Sequence, residues 1–393
     1  MVEPNPILQP TTSAMLKRTK VAATIGPSAS RPGELMQLVR AGADAFRLDM
    51  SQDNEAIWHE RHEAVREVEG MAQQPITLLV DVPGEEASNG GETHLAPNLV
   101  SWIANHEVDY VLISVPRGSH DISEARKVLS EAGSEAAVMA RLDHAANYRD
   151  IDSIIQAADG VVVTGTGLSE LETWSIPVMQ KMVARQCQIG AKPCLVGRGI
   201  LNNMLQSKEP TNGEVFDIAN VVFDHADAIL LKDETATGSY PTQAVEVVSK
   251  TVIATESLME ITDRPIKVGF GQPPNTAALA YSIRHILKMQ EIAAVGVYSH
   301  SSMTARLIAK NWIDCPVLGL SDSATTVRQM GLYHGVVSRQ MKTPDSTAEM
   351  LATTTSIAKQ LGLVVPGDRM IVASELPIRS TDNANAFVIE TIK

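Results

Sequence analysis

Apolar residues fall along this chain in short blocks that alternate between two periods. Runs rich in Val, Ile, Leu and Ala occupy 20–25, 45–50, 77–82, 110–115, 136–143, 160–164, 192–197 and 228–233, and most end at a polar residue or glycine. Between them apolar positions recur at helical spacing, as in Glu55–Met71, Ser119–Glu131 and Ile176–Gln188. The first unit shows the logic. Val21–Ile25 reads as a buried strand that Gly26-Pro27-Ser28 stops. Leu35, Leu38 and Val39 share one face of a helix that Gly42 closes, and Ala45–Met50 is the next strand. A parallel pair needs a crossover helix of this kind. About eight such repeats predict a TIM (β/α)8 barrel over residues 17–268. A doubly wound open sheet is the alternative, although it rarely needs so many regular repeats.

Gly269–Pro274 is a Gly/Pro-rich break. Beyond it, Thr276–Lys288, Ser302–Lys310, Ala324–Met330 and Ala348–Leu361 read as helices. Ala293–Val297, Val317–Leu320, Gly335–Ser338, Arg369–Ala373 and Ala386–Glu390 read as strands. This predicts a second, smaller α/β domain over 269–393, with residues 1–16 as an extended arm.

Composition narrows the function. Hydrophobic residues make up 44% of the 393 and aromatics only 4%, so aliphatic residues and 16 Met must fill the core. A formal net charge of −13 argues against sequence-independent nucleic-acid binding. Cys187, Cys194 and Cys315 form no CxxC pair, which fits reduced thiols in a cytoplasmic protein. The N-terminus does not read as a signal peptide, and no run approaches the ~20 apolar residues of a membrane span.

The carboxyl ends of the barrel strands carry Arg47, Asp49, Ser51, Asp81, Arg117, Arg141, Asp143, Arg198, Lys232, Asp233 and Glu234. In a barrel these converge on one mouth. Arginines bind carboxylate and phosphate bidentately, so the set suits a small anionic metabolite, with or without a cation; a self-satisfied ion-pair network is the alternative. His59 and His62 lie three apart on a helix, a spacing able to bind metal, but they read better as a solvated face. His225 and His300 read as ordinary histidines. Ser299, Ser301, Ser302 and Thr304 open a helix after a strand, forming either an anion site or a simple N-cap.

At this point the chain resembles the pyruvate kinase family over nearly its whole length. The motifs are Arg18-Thr19-Lys20-Val21 with Thr24-Ile25-Gly26-Pro27-Ser28, Ala41–Leu48, Val108–Ser114, Pro210–Asn220 and Glu234–Pro241. In the second domain they are Thr304-Ala305-Arg306-Leu307 and Gly367-Asp368-Arg369. The resemblance implies a barrel, an effector-type C-terminal domain with Ser299–Thr304 as its loop, Mg2+ and K+ as cofactors, and a homo-oligomer, dimer or tetramer.

The departures fall on the chemistry. The family inserts a lid of about a hundred residues after the third strand, a common domain size; here Val82–Gly90 runs almost directly into Leu95-Ala96-Pro97. The family's Lys-Ile-Glu is matched by Arg141-Leu142-Asp143, its metal-binding aspartate after the sixth strand by Gly167, and its catalytic threonine by Arg198. By resemblance Arg47 grips phosphate, Asp143 is the remnant of a divalent site, and Asp49, Ser51 and Asp81 are the remnant of a monovalent one. The expected ligand contacts are Arg47, Arg117, Arg141, Arg198, Lys232 and Glu234. The leading expectation is a non-catalytic or regulatory homologue binding a small phosphorylated or carboxylate ligand. A slow genuine pyruvate kinase is the second, and metal-assisted chemistry on a 2-oxo acid through Asp143 with Asp49 or Asp81 is the third.

Overall fold

A computed structural model describes residues 17–51, 54–83, 95–115, 117–165, 171–259, 271–376 and 384–393. Eight parallel strands, β1 (Lys20–Thr24), β2 (Ala45–Asp49), β3 (Thr77–Asp81), β4 (Tyr110–Ser114), β5 (Ala137–Leu142), β6 (Gly160–Thr164), β7 (Cys194–Gly197) and β8 (Ala228–Leu231), follow one another around a ring. β1 pairs with β8 through Val21 opposite Ile229, which closes the barrel. The open-sheet alternative is thereby excluded. The arm at 1–16, Gly167, the stretch 84–94 and residues 269–270 of the expected boundary lie outside the described residues.

The strands are buried on both faces, as their near-continuous aliphatic sequences require. Leu79, Leu112, Met139, Val162, Leu195 and Leu230 fill the barrel interior. The alternate residues, such as Val21, Leu78 and Val163, pack under the surrounding helices.

The second domain is a five-stranded sheet in the order β11-β10-β9-β12-β13. Its strands are β9 (Ala294–Tyr298), β10 (Val317–Ser321), β11 (Val336–Gln340), β12 (Arg369–Ser374) and β13 (Ala386–Thr391), and β13 alone runs antiparallel. It docks against the amino-terminal end of the barrel. Leu332 joins the interior cluster there. The Tyr110 hydroxyl donates to the Gln329 carbonyl at 3.1 Å, and the Lys20 ammonium donates to the Val336 carbonyl at 2.8 Å. Lys310, from the helix Met303–Lys310, is fully buried against Asp227. The bottom of the barrel is therefore sealed, which leaves the carboxyl end of the strands as its mouth.

The apolar run at 228–233 ends as a strand at Leu231, earlier than expected. Lys232 turns the chain and Asp233–Ala236 forms a single helical turn. Three contacts fix that turn. The Thr24 amide donates to Thr235 Oγ1 at 2.9 Å, and Thr235 Oγ1 donates to the Thr24 carbonyl at 3.0 Å. Gly26 approaches so closely that a Cβ there would lie 2.4 Å from the Ala236 carbonyl oxygen.

Candidate active site

Side chains alternate faces along a strand, so the inward rows can be followed to the mouth. On β2 the row is Ala45, Arg47, Asp49; on β3 it is Leu79, Asp81. On β5 it is Met139, Arg141, Asp143, and past β8 it is Ala228, Leu230, Lys232. The mouth thus receives three carboxylates and three cations from four strands.

Asp81 is the hub. Its Oδ2 accepts from Arg47 Nε at 2.7 Å and its Oδ1 accepts from Arg141 Nη1. Arg47 Nη2 also donates to Asp49 Oδ2 at 2.7 Å, and Nη1 donates to Thr24 Oγ1 at 3.3 Å. Arg141 Nε donates to Asp143 Oδ2 at 2.9 Å. Ser114, which ends the inward row Tyr110, Leu112, Ser114 on β4, donates to Asp143 Oδ1 at 2.9 Å. The Ser114 hydroxyl is also 3.2 Å from His144 Nε2. Burial works against the charges of Arg47 and Arg141, but the facing carboxylates more than offset it and raise both pKa values. Asp49 is likewise held below the usual carboxylate range. Burial opposes its charge, and Arg47 together with the Ser51 donors overcomes that.

Lys232 is different. It is half-buried, and among the described residues its ammonium has neither a hydrogen-bond partner nor an ion-pair partner. Burial lowers its pKa first, Arg47 and Arg141 lower it further, and Asp81 opposes them only in part. Lys232 continues the inward row of Ala228 and Leu230, so it enters the mouth that Arg47, Asp81 and Arg141 share. The turn behind it is built to hold it. Glu234 Oε2 accepts the Lys232 amide at 2.7 Å, while Oε1 accepts the Leu201 amide at 3.2 Å.

Several expected contacts take other roles. Glu234 is buried and each of its oxygens accepts a backbone amide, so it supports the loops. Arg117 folds onto the helix that follows it, Ser119–Glu131, donating to Asp121 at 2.6 Å and Glu124 at 2.7 Å. Arg198 falls outside the inward row, since Leu195 and Gly197 point inward and Arg198 has the parity of Cys194 and Val196. It is exposed at the rim, its Cγ against Gly165. Ser51 is exposed and donates to Asp49 at 2.6 Å.

Among the described residues the mouth offers no ready seat for the cations that the resemblance implies. Both oxygens of Asp81 and of Asp143 already accept hydrogen bonds, and guanidinium groups hold the positive charge there. Among the described residues no group of three or more His, Cys, Asp or Glu side chains could hold a metal ion. The helix face at His59 and His62 is not merely solvated. His62 is buried and packs edge-on against Trp102, and His59 Nδ1 lies 3.1 Å from His106 Nε2. In the effector-type loop Ser299 and Thr304 are buried, the Met303 amide donates to Ser301 Oγ at 3.5 Å, and Ser302 Oγ lies 2.8 Å from the Tyr333 hydroxyl. That last contact ties the loop to the domain interface.

A closed parallel barrel with charged side chains at the carboxyl ends of its strands, carrying a small α/β domain, defines the class of this protein. Known proteins point the same way. Residues 16–95 and 92–245 match the family model described as pyruvate kinase, barrel domain, and residues 277–390 match the one described as pyruvate kinase, alpha/beta domain. The chain belongs to the pyruvate kinase family. It is 27% identical over 316 residues to a pyruvate kinase of Geobacillus stearothermophilus, covering 80% of this chain and 54% of that protein. It is 31% identical over 285 residues to one from Agrobacterium vitis, covering 71% and 58%. A second pyruvate kinase of Agrobacterium vitis aligns over 468 residues at 23% identity, covering 94% and 95%. The chain thus spans little more than half the length of the first two. Among the described residues no helix is long and apolar enough to cross a membrane.

Proposed function

We propose that the barrel mouth binds small carboxylate anions of the pyruvate and phosphoenolpyruvate class and catalyses slow phosphoryl transfer between phosphoenolpyruvate and ADP. The observation that carries this reading is Lys232. Phosphoryl transfer rests on positioning and on neutralising the charge of the group in flight. The sequence has an arginine where the family's lysine is expected, yet an unpaired ammonium reaches the same mouth from β8. Arg141 Nη2 makes no hydrogen bond among the described residues, so it leaves a donor at the mouth for a carboxylate or phosphate oxygen. The names of the relatives support this catalytic reading over a non-catalytic one.

A second reading, ligand binding without turnover, is favoured by the arginine–carboxylate lattice, which holds Asp81 and Asp143 fully engaged. Metal-assisted chemistry through Asp143 with Asp49 or Asp81 gains no support from this donor set. The proposal also carries a homo-oligomer, which light scattering of the purified chain tests.

The deciding experiment is a coupled lactate dehydrogenase assay with phosphoenolpyruvate, ADP, magnesium and potassium. Turnover that falls by about two orders of magnitude in Lys232→Met is expected. Absence of turnover, with thermal stabilisation by phosphoenolpyruvate retained, would replace this reading by the non-catalytic one.

A further inference from the structure

Lysines that hold a fold together donate to something. Lys20 and Lys192 donate to the carbonyls of Val336 and Ala158, and Lys17 and Lys310 pair with Asp44 and Asp227. Lys232 has no such acceptor among the described residues, although three carboxylates share its mouth. The reason is competition. Arg47 and Arg141 have taken Asp49, Asp81 and Asp143 in multidentate contacts that a single ammonium cannot displace. What remains is a half-buried amine in the inward row of the mouth, within the field of two guanidinium groups.

From this arrangement we infer that Lys232 is a nucleophile that condenses with the carbonyl of a 2-oxo acid bound at the mouth. The inference rests on the reading that the mouth takes small carboxylate anions, and it adds a covalent step to it. A lysine in a partly desolvated pocket beside other cations binds an anion as the ammonium and gives up its proton more readily than a free lysine, which is how proteins activate an amine as a nucleophile. The free Nη2 edge of Arg141 offers the carboxylate of the 2-oxo acid a place from which its carbonyl carbon can face Nζ. The Nζ lone pair adds to that carbon and the carbonyl oxygen takes up protons. Loss of this oxygen as water leaves a C=N bond. One 2-oxo acid, one amine and one proton give one iminium ion and one water, so no oxidant, reductant or metal is required.

The test uses the full chain with pyruvate and sodium borohydride, which reduces an iminium to a stable secondary amine. Peptide mapping by mass spectrometry is expected to find one carboxyethyl group on Lys232, dependent on pyruvate and absent from Lys232→Arg. That variant keeps the positive charge and removes the nucleophile. Thermal stabilisation of the wild type by pyruvate is measured in parallel. Stabilisation without an adduct on Lys232 overturns the covalent step and leaves the anion site standing. Neither stabilisation nor adduct overturns both. Label spread over surface lysines such as Lys250, equal in wild type and variant, also overturns the covalent step.

Discussion

Arg141 and Asp81 hold each other across the barrel mouth, reaching over the intervening strand from β5 to β3. Asp81 meets Arg47 on its other oxygen, so one carboxylate joins three strands. The consequence is a division of labour among the cations. The two guanidinium groups hold the carboxylates, and the ammonium of Lys232 is left without a partner among the described residues.

Asp81→Asn is expected to destabilise the fold. Removing one member of a buried charge group leaves the others uncompensated and costs about 3 kcal/mol or more. Asp81 is only 3% exposed and faces both Arg47 and Arg141, so the loss belongs at that end of the scale. The midpoint of urea unfolding measures it. An unchanged midpoint would show that the lattice is not fixed by Asp81.

Lys232→Met is expected to reduce phosphotransfer by about two orders of magnitude, the usual cost of losing one preorganised charge at a transition state. The thermal midpoint is expected to hold, since no hydrogen bond among the described residues is lost. Arg117→Ala is the contrast. Its partners Asp121 and Glu124 lie on the helix just after it, so its rate is expected to stay within about twofold of wild type, and its stability to fall by about 1 kcal/mol or less. Steady-state kinetics on both variants separates a mouth residue from a helix-end residue.

The fold was legible because each barrel strand is a short aliphatic run followed by an amphipathic helix, and both periods survive in the sequence. The strands and helices of the second domain, Ala324–Met330 among them, could be read for the same reason. The site was legible only as a set of candidates. Parity would have done more, because Leu195 and Gly197 place Arg198 outside the inward row, while Tyr110 and Leu112 lead to Ser114. Pairings between strands could not be read, since a sequence does not say that Asp81 will prefer two arginines to a cation. The histidine face was misread for a similar reason: His106 arrives from another helix, at a distance in sequence that periodicity does not report.

Leu332→Ala probes the docking of the second domain. Leu332 is fully buried in the barrel's interior cluster although it belongs to the other domain. Truncating a buried leucine costs about 2–5 kcal/mol through lost transfer energy and the cavity left behind. The loss is expected to open the amino-terminal end of the barrel, so hydrogen exchange of the Tyr110 and Ala228 amides should quicken together with exchange in β11. Faster exchange confined to the second domain would show that the barrel bottom closes without it.

The interface also sets an expectation for pH. His225 of the barrel lies against Trp312 of the second domain, ring centroids 4.2 Å apart, and its Nδ1 is buried without a partner. Burial lowers its pKa to about 4, with His334 adding to the effect. A histidine whose folded pKa is depressed contributes stability that is fully present above its unfolded pKa near 6.5 and is lost as pH falls toward 4. The loss is no more than about 3 kcal/mol at roughly 1.4 kcal/mol per pKa unit. Asp109 works with the opposite sign over the same range. Burial raises its pKa to about 6, so its contribution is full below about 4 and is lost as pH rises through 6. The raw pH profile mixes these two with other shifted groups, among them His334 and Glu256, and a variant separates His225 from the rest. His225 has a positive φ of 64°, which asparagine tolerates best among side-chain-bearing residues, so His225→Asn removes the titration with little backbone cost. The difference in unfolding free energy between wild type and His225→Asn is expected to shrink, or to reverse in favour of the variant, as pH falls from 7 to 4. A difference constant across that range would mean that His225 titrates alike in the folded and unfolded chain, and that its contact with Trp312 does not exclude the proton.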